Sequence, residues 1–159
     1  MSGTDCDLRP LEKMNEIANK GEGRGPSPVV PKKLGRIAKK LSAAGEELVL
    51  IAPAILHSQA SEQMLAIARM GMLDKILGYL VTTDKNVHFV RPGIAWDSVR
   101  TVPLDVITGV EYVEEFHTNT LKLLVGERAE KIIFYEDLDG IRFYQYIQGV
   151  KRKDQSAGV

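Results

Sequence analysis

Apolar residues recur along this chain with two different periods. Leu34, Ile37, Ala38 and Leu41 follow the i, i+3, i+4, i+7 spacing of one helix face. The spacing predicts a helix over 32–44, with Lys32, Lys33, Arg36, Lys39 and Lys40 on its other face. From residue 76 the apolar runs become short, β-branched and bounded by turn residues. Residues 76–83 and 86–90 predict two strands joined by a tight turn at Asp84-Lys85-Asn86, hence an antiparallel hairpin stopped by Arg91-Pro92-Gly93. Further strands are predicted over 98–102, 107–114, 121–125 and 131–135. Parallel pairing would need a crossover between each pair, so the spacing favours an antiparallel meander. A last helix opens at Asp137 and carries Phe143, Ile147 and Val150 on one face, flanked by Tyr144 and Tyr146, with Leu138 and Ile141 outside that stripe.

The expected fold class is therefore mainly β with α: a curled antiparallel sheet of about six strands, or a small barrel, capped by the C-terminal helix and preceded by an N-terminal helical appendage. Residues 57–75, with Met64, Leu65, Ile67, Ala68 and Met72 at mixed spacing, read as helix or irregular strand. The longest apolar run, 48–56, contains Pro53 and falls far short of the roughly 20 residues that a membrane-spanning helix needs.

Charge divides the chain. Its 159 residues hold 21 basic and 21 acidic side chains, yet residues 1–45 are net +4, residues 46–150 net −6 and residues 151–159 net +2. The acidic middle, rich in aromatic and β-branched residues, is the expected folded body. The glycines and prolines of 21–31 make a linker. Four regions follow: a flexible N-terminal region over 1–31, the basic helix over 32–44, the body over 45–150 and a basic tail over 151–159. An acidic body argues against nucleic acid as a partner. A lone cysteine, Cys6, excludes an internal disulfide framework, and the first thirty residues offer no apolar signal core, so the expected location is cytoplasmic.

No motif declares a chemistry. The alternating glycines of 21–25 lack the Gly-Lys-Ser/Thr of a phosphate loop. His57, His88 and His117 have no metal-ligand spacing, and His88 is expected packed in, or on the surface of, a strand. His117 follows Glu114 and Glu115 and could pair with a carboxylate. Glu136-Asp137-Leu138-Asp139-Gly140 looks like half a calcium loop, but the required first and last ligands would be Tyr135 and Tyr146, so the acids mark a helix start. Cys6, Ser58, Ser61 and Ser98 have no activating motif around them.

Three pieces stand in a recognisable order: Gly45-Glu46-Glu47-Leu48-Val49; the hairpin Gly78-Tyr79-Leu80-Val81-Thr82-Thr83-Asp84-Lys85-Asn86-Val87-His88-Phe89-Val90; and Val102-Pro103-Leu104-Asp105-Val106-Ile107-Thr108-Gly109-Val110. Over about 45–150 the chain resembles a bacterial pleckstrin-homology-like domain of the YokE type. Asn86 departs from that pattern, standing where arginine is common, and the stretch from Ala52 to Ile76 is long enough to hold an added helix. The resemblance implies two curved antiparallel sheets capped by a helix, no cofactor and no enzymatic work. Related folds grip inositol phosphates through cations between the first two strands. Here that region offers Arg69 and Lys75, opposed by Glu62 and Asp74, which does not support phosphoinositide recognition.

The first expected function is a non-catalytic interaction domain that binds a protein partner or self-associates through sheet edges or the appended helix. The second is a peripheral membrane adaptor in which Lys32, Lys33, Arg36, Lys39 and Lys40 meet anionic lipid, worth roughly 5 kcal/mol before ordering costs. The bland alternative for that helix is an apolar stripe packed on the body with its cations in water. A hydrolase using His117 is the third.

Overall fold

Nine residues without a polar side chain, Leu48–Leu56, form strand β1, about which the sheet is organised. The computed structural model describes residues 28–57, 78–115 and 118–157. Strands β2 (Tyr79–Thr83), β3 (Asn86–Arg91), β4 (Ser98–Pro103), β5 (Gly109–Glu115), β6 (Thr118–Val125) and β7 (Arg128–Phe134) complete it. The spatial order is β4-β3-β2-β1-β7-β6-β5, and every pairing is antiparallel. Helix α1 (Gly35–Ala43), entered through a 3₁₀ turn at Lys32–Leu34, precedes β1. Helix α2 (Asp137–Ala157) follows β7.

β1 changes partner midway. Leu48 to Pro53 pair with β2, ending at Pro53–Tyr79, whereas Ala54 to Leu56 pair with β7. Pro53 thus stands where the strand passes from one half of the sheet to the other, a position that tolerates a missing ladder donor. The result is two curved halves sharing one strand. Arg100 of β4 ion-pairs with Glu130 of β7, although these strands are not neighbours, so the sheet curls until β4 faces β7.

The concave face holds the main core, including Leu80, Val87, Phe89, Leu121, Leu123 and Ile132, closed by Phe143 and Ile147 of α2. Phe134 and Phe143 meet at a ring separation of 5.2 Å. Gly140 lets the lid close: a Cβ there would come within 2.8 Å of the Tyr112 ring, and the Tyr112 hydroxyl donates to the Asp137 carbonyl at 3.1 Å. Asp137 and Asp139 occupy the first turn of α2, as the acidic run predicts.

A second core lies on the convex face. Leu34, Ile37 and Leu41 of the N-terminal helical segment are buried against Tyr79, Val81 and Val90, with Leu48 and Ile51 alongside. Burial of each of the three is worth about 1.5–3 kcal/mol.

Four details differ from the expectations. Among the described residues the sheet has seven strands where six or so were expected, the added one being β1, which is covered on both faces and so reads as a continuous apolar run rather than an alternating one. Residues 52–56 are therefore strand and not the start of an added helix, while 58–77 lie outside the described residues. Leu104–Val106 make a 3₁₀ turn, so the strand expected from Ile107 begins at Gly109, with Ile107 buried as a plug. Lys151, Arg152 and Lys153 of the expected basic tail lie on α2, which runs to Ala157.

Candidate functional site

α1 ends in a turn that needs glycine. Gly45 has φ +80°, its N–H donates to the Ser42 carbonyl at 3.0 Å, and the Glu46 N–H donates to the Leu41 carbonyl at 2.9 Å. This pair of bonds is a Schellman cap, and it delivers Glu46 to the convex face beside the β2–β3 hairpin. There one carboxylate oxygen, Oε1, accepts from Asn86 Nδ2 at 2.6 Å, Thr83 Oγ1 at 2.7 Å and His88 Nε2 at 3.1 Å. Burial alone pushes the Glu46 carboxyl up, but the side-chain bonds from Asn86, Thr83 and His88, with the charge of His88, carry it below its ordinary range.

The hairpin is built to hold this acid. Thr83 Oγ1 accepts the N–H groups of Lys85 and Asn86 at 3.2 and 3.0 Å, which shapes the turn expected at Asp84-Lys85-Asn86. Glu47 and Asp84 exchange two bonds, the Glu47 N–H to Asp84 Oδ1 at 2.8 Å and the Asp84 N–H to the Glu47 carbonyl at 3.0 Å. Lys85 Nζ reaches the Gly45 carbonyl at 3.2 Å. Asn86, the departure from the family pattern, thus serves as a donor to Glu46.

His88 is buried, with Nδ1 2.8 Å from Thr101 Oγ1 of β4. Nε2 faces Glu46 and Nδ1 faces the threonine hydroxyl, so the ring bridges the two side chains. Hydroxyl, imidazole and carboxylate in line is the order that activates a nucleophile. Acyl transfer also needs N–H donors for the developing oxyanion. The Leu104 N–H donates to the Lys85 carbonyl, and alternation along the ladder then turns the N–H groups of Val102 and Arg100, which flank Thr101, toward β3. Those amides are committed. Among the described residues no three His, Cys, Asp or Glu side chains converge as a metal site would require.

The same alternation leaves the N–H groups of Val99 and Thr101 facing away from β3, and among the described residues β4 pairs with β3 alone. Pro103 falls in the outward set, where its missing N–H costs no ladder bond. Ser98 to Thr101 are all exposed.

All five cations named from sequence lie on the exposed side of the docked segment: Lys32, Lys33, Arg36, Lys39 and Lys40. The bland disposition of the helix is the one observed, apolar stripe on the sheet and cations in water. Arg36 is engaged, donating to the carbonyls of Gly93 at 3.0 Å and Ala95 at 3.2 Å and to Asp97 Oδ1 at 3.1 Å. Asp97 Oδ1 also accepts the Gly93 N–H at 3.1 Å. Arg36 and Asp97 therefore clamp the β3–β4 loop to the start of α1.

Sequence reasoning missed Glu46, Thr101 and Asp97, whose partners are distant in sequence and carry no local signature. The exposed Ile94 and Trp96 of the same loop were missed too, though a tryptophan between Pro92-Gly93 and Asp97 is a signal of an apolar side chain in a turn. His117, Cys6, Ser58, Ser61, Arg69 and Lys75 lie outside the described residues. No described helix is long and apolar enough to cross a membrane.

No protein-family model matches the chain, and no curated protein matches it. Six chains among solved structures do. The Vps36 N-terminal PH domain is 16% identical, with 71% of this chain and 84% of that one covered at a TM-score of 0.52. A pleckstrin homology domain from Shewanella amazonensis is 21% identical over 71% of this chain and 98% of its own, at a TM-score of 0.39 that is too low to argue from. Identity this low speaks of architecture only, and the seven antiparallel strands closed by a C-terminal helix agree with it: the chain has a pleckstrin-homology-like fold.

Proposed function

We propose that this chain is a non-catalytic, cofactor-free cytoplasmic interaction module of the bacterial YokE type, which takes an extended strand of a protein partner, or of a second copy, along β4. The observation that carries the reading is the one-sided pairing of β4 among the described residues, with the outward N–H groups at Val99 and Thr101. An unpaired edge is a template for strand addition, with main-chain bonds supplying affinity.

Val99→Pro tests it, because by the alternation above proline there removes an outward donor and leaves the β3 ladder intact. Light scattering of the full chain and capture of partners from native lysate, with wild type and V99P side by side, give the readout. The reading expects association that V99P abolishes while the circular dichroism spectrum is retained. Association unchanged by V99P contradicts it.

The exposure of Lys32, Lys33, Lys39 and Lys40 favours a second reading, contact of this convex face with anionic lipid while α1 stays docked.

A further inference from the structure

The β3–β4 loop holds two large apolar side chains in solvent: Ile94 is 104% exposed and Trp96 80%. The loop is nevertheless tightly built. A Cβ on Gly93 would collide with the Trp96 carbonyl, so only glycine fits this turn. Three backbone groups of the loop are tied inward, the Gly93 and Ala95 carbonyls accepting from Arg36 and the Gly93 N–H donating to Asp97. Each of these bonds removes a group that would be costly to carry unpaired into a lipid interface, while the apolar side chains stay outside. Lys32 and Lys33 line one cleft with Pro92, Gly93 and Ile94, so positive charge flanks the apolar tip.

We propose that Ile94 and Trp96 enter the headgroup region of an anionic bilayer, with Lys32 and Lys33 beside them on lipid phosphates. This rests on the second reading above and names its apolar element: the loop, not the buried stripe of α1, is the part that inserts. Tryptophan suits that depth, its ring apolar and its N–H able to reach the polar layer. The lysines supply an electrostatic term that salt screens.

Trp96 is the chain's single tryptophan and reports on its own position. The full chain is titrated with phosphatidylcholine vesicles, with and without phosphatidylserine, while emission and vesicle sedimentation are followed together. A blue shift confined to the phosphatidylserine vesicles, with quenching by lipids brominated near the headgroup, supports the proposal. K32Q/K33Q should weaken partitioning about 30-fold. I94S should weaken it while circular dichroism shows the fold kept. Sedimentation with vesicles while emission stays unshifted leaves the second reading standing and overturns the insertion. Absence of sedimentation overturns both. A shift that grows with protein concentration without vesicles puts a second copy on the loop and also overturns the proposal.

Discussion

Glu46 and His88 are 42 positions apart in sequence, yet Oε1 of the first lies 3.1 Å from Nε2 of the second. The contact joins the capped end of α1 to the centre of β3. Thr83 and Asn86 add their donors to the same oxygen, and Thr101 extends the chain of bonds to β4. Helix, hairpin and edge strand are thereby fixed to one half-buried carboxylate.

Acid should loosen this junction. The folded-state pKa of Glu46 lies below its ordinary value of 4.5, so its contribution is complete above that value and is lost as pH falls through the folded one. E46Q should cost about 1–3 kcal/mol near neutral pH. Urea unfolding from about pH 6 to about pH 3 should show the gap between wild type and E46Q narrowing. A gap independent of pH would contradict the charged role.

Gly45→Ala should destabilise by about 1 kcal/mol, because φ +80° places a Cβ in the left-handed region. The space itself is free, since the nearest atom to such a Cβ is Lys85 Nζ at 3.7 Å. Chemical denaturation gives the value; an unchanged midpoint would mean that the cap does not need glycine.

The elements were legible where local pattern suffices. The stripe Leu34, Ile37, Leu41 named its own buried face, and Phe143 and Ile147 did the same for the lid. β1 was not legible as a strand, because core on both faces erases alternation and Pro53 breaks the run. The junction was hidden for a different reason: Glu46 and His88 are 42 residues apart, and nothing in either neighbourhood specifies the other. His88 was expected in a strand, but only the folded chain supplies the Glu46 and Thr101 that flank it.

Truncating the docked stripe should free α1 without unfolding the sheet. Leu34 is 1% exposed, so L34A should cost about 2–5 kcal/mol in the stability of the convex core. Amide exchange should rise across 35–43 more than in β6 and β7. Equal acceleration throughout would show that helix and sheet unfold as one unit.

Gly140 and Tyr112 should behave as a coupled pair. G140A forces a Cβ toward the tyrosine ring and should cost about 1–3 kcal/mol. In the double variant G140A/Y112A that clash has no partner, so the two costs should sum to less than their separate values in urea unfolding. Simple additivity would mean that the lid tilts to make room.

Residue-resolved amide hydrogen exchange along β4 of the free chain tests most directly that this edge is open for a partner. Slow exchange at Arg100 and Val102 with fast exchange at Val99 and Thr101 is the predicted alternation. Slow exchange at all four would mean that a strand already occupies the edge, and would contradict the account.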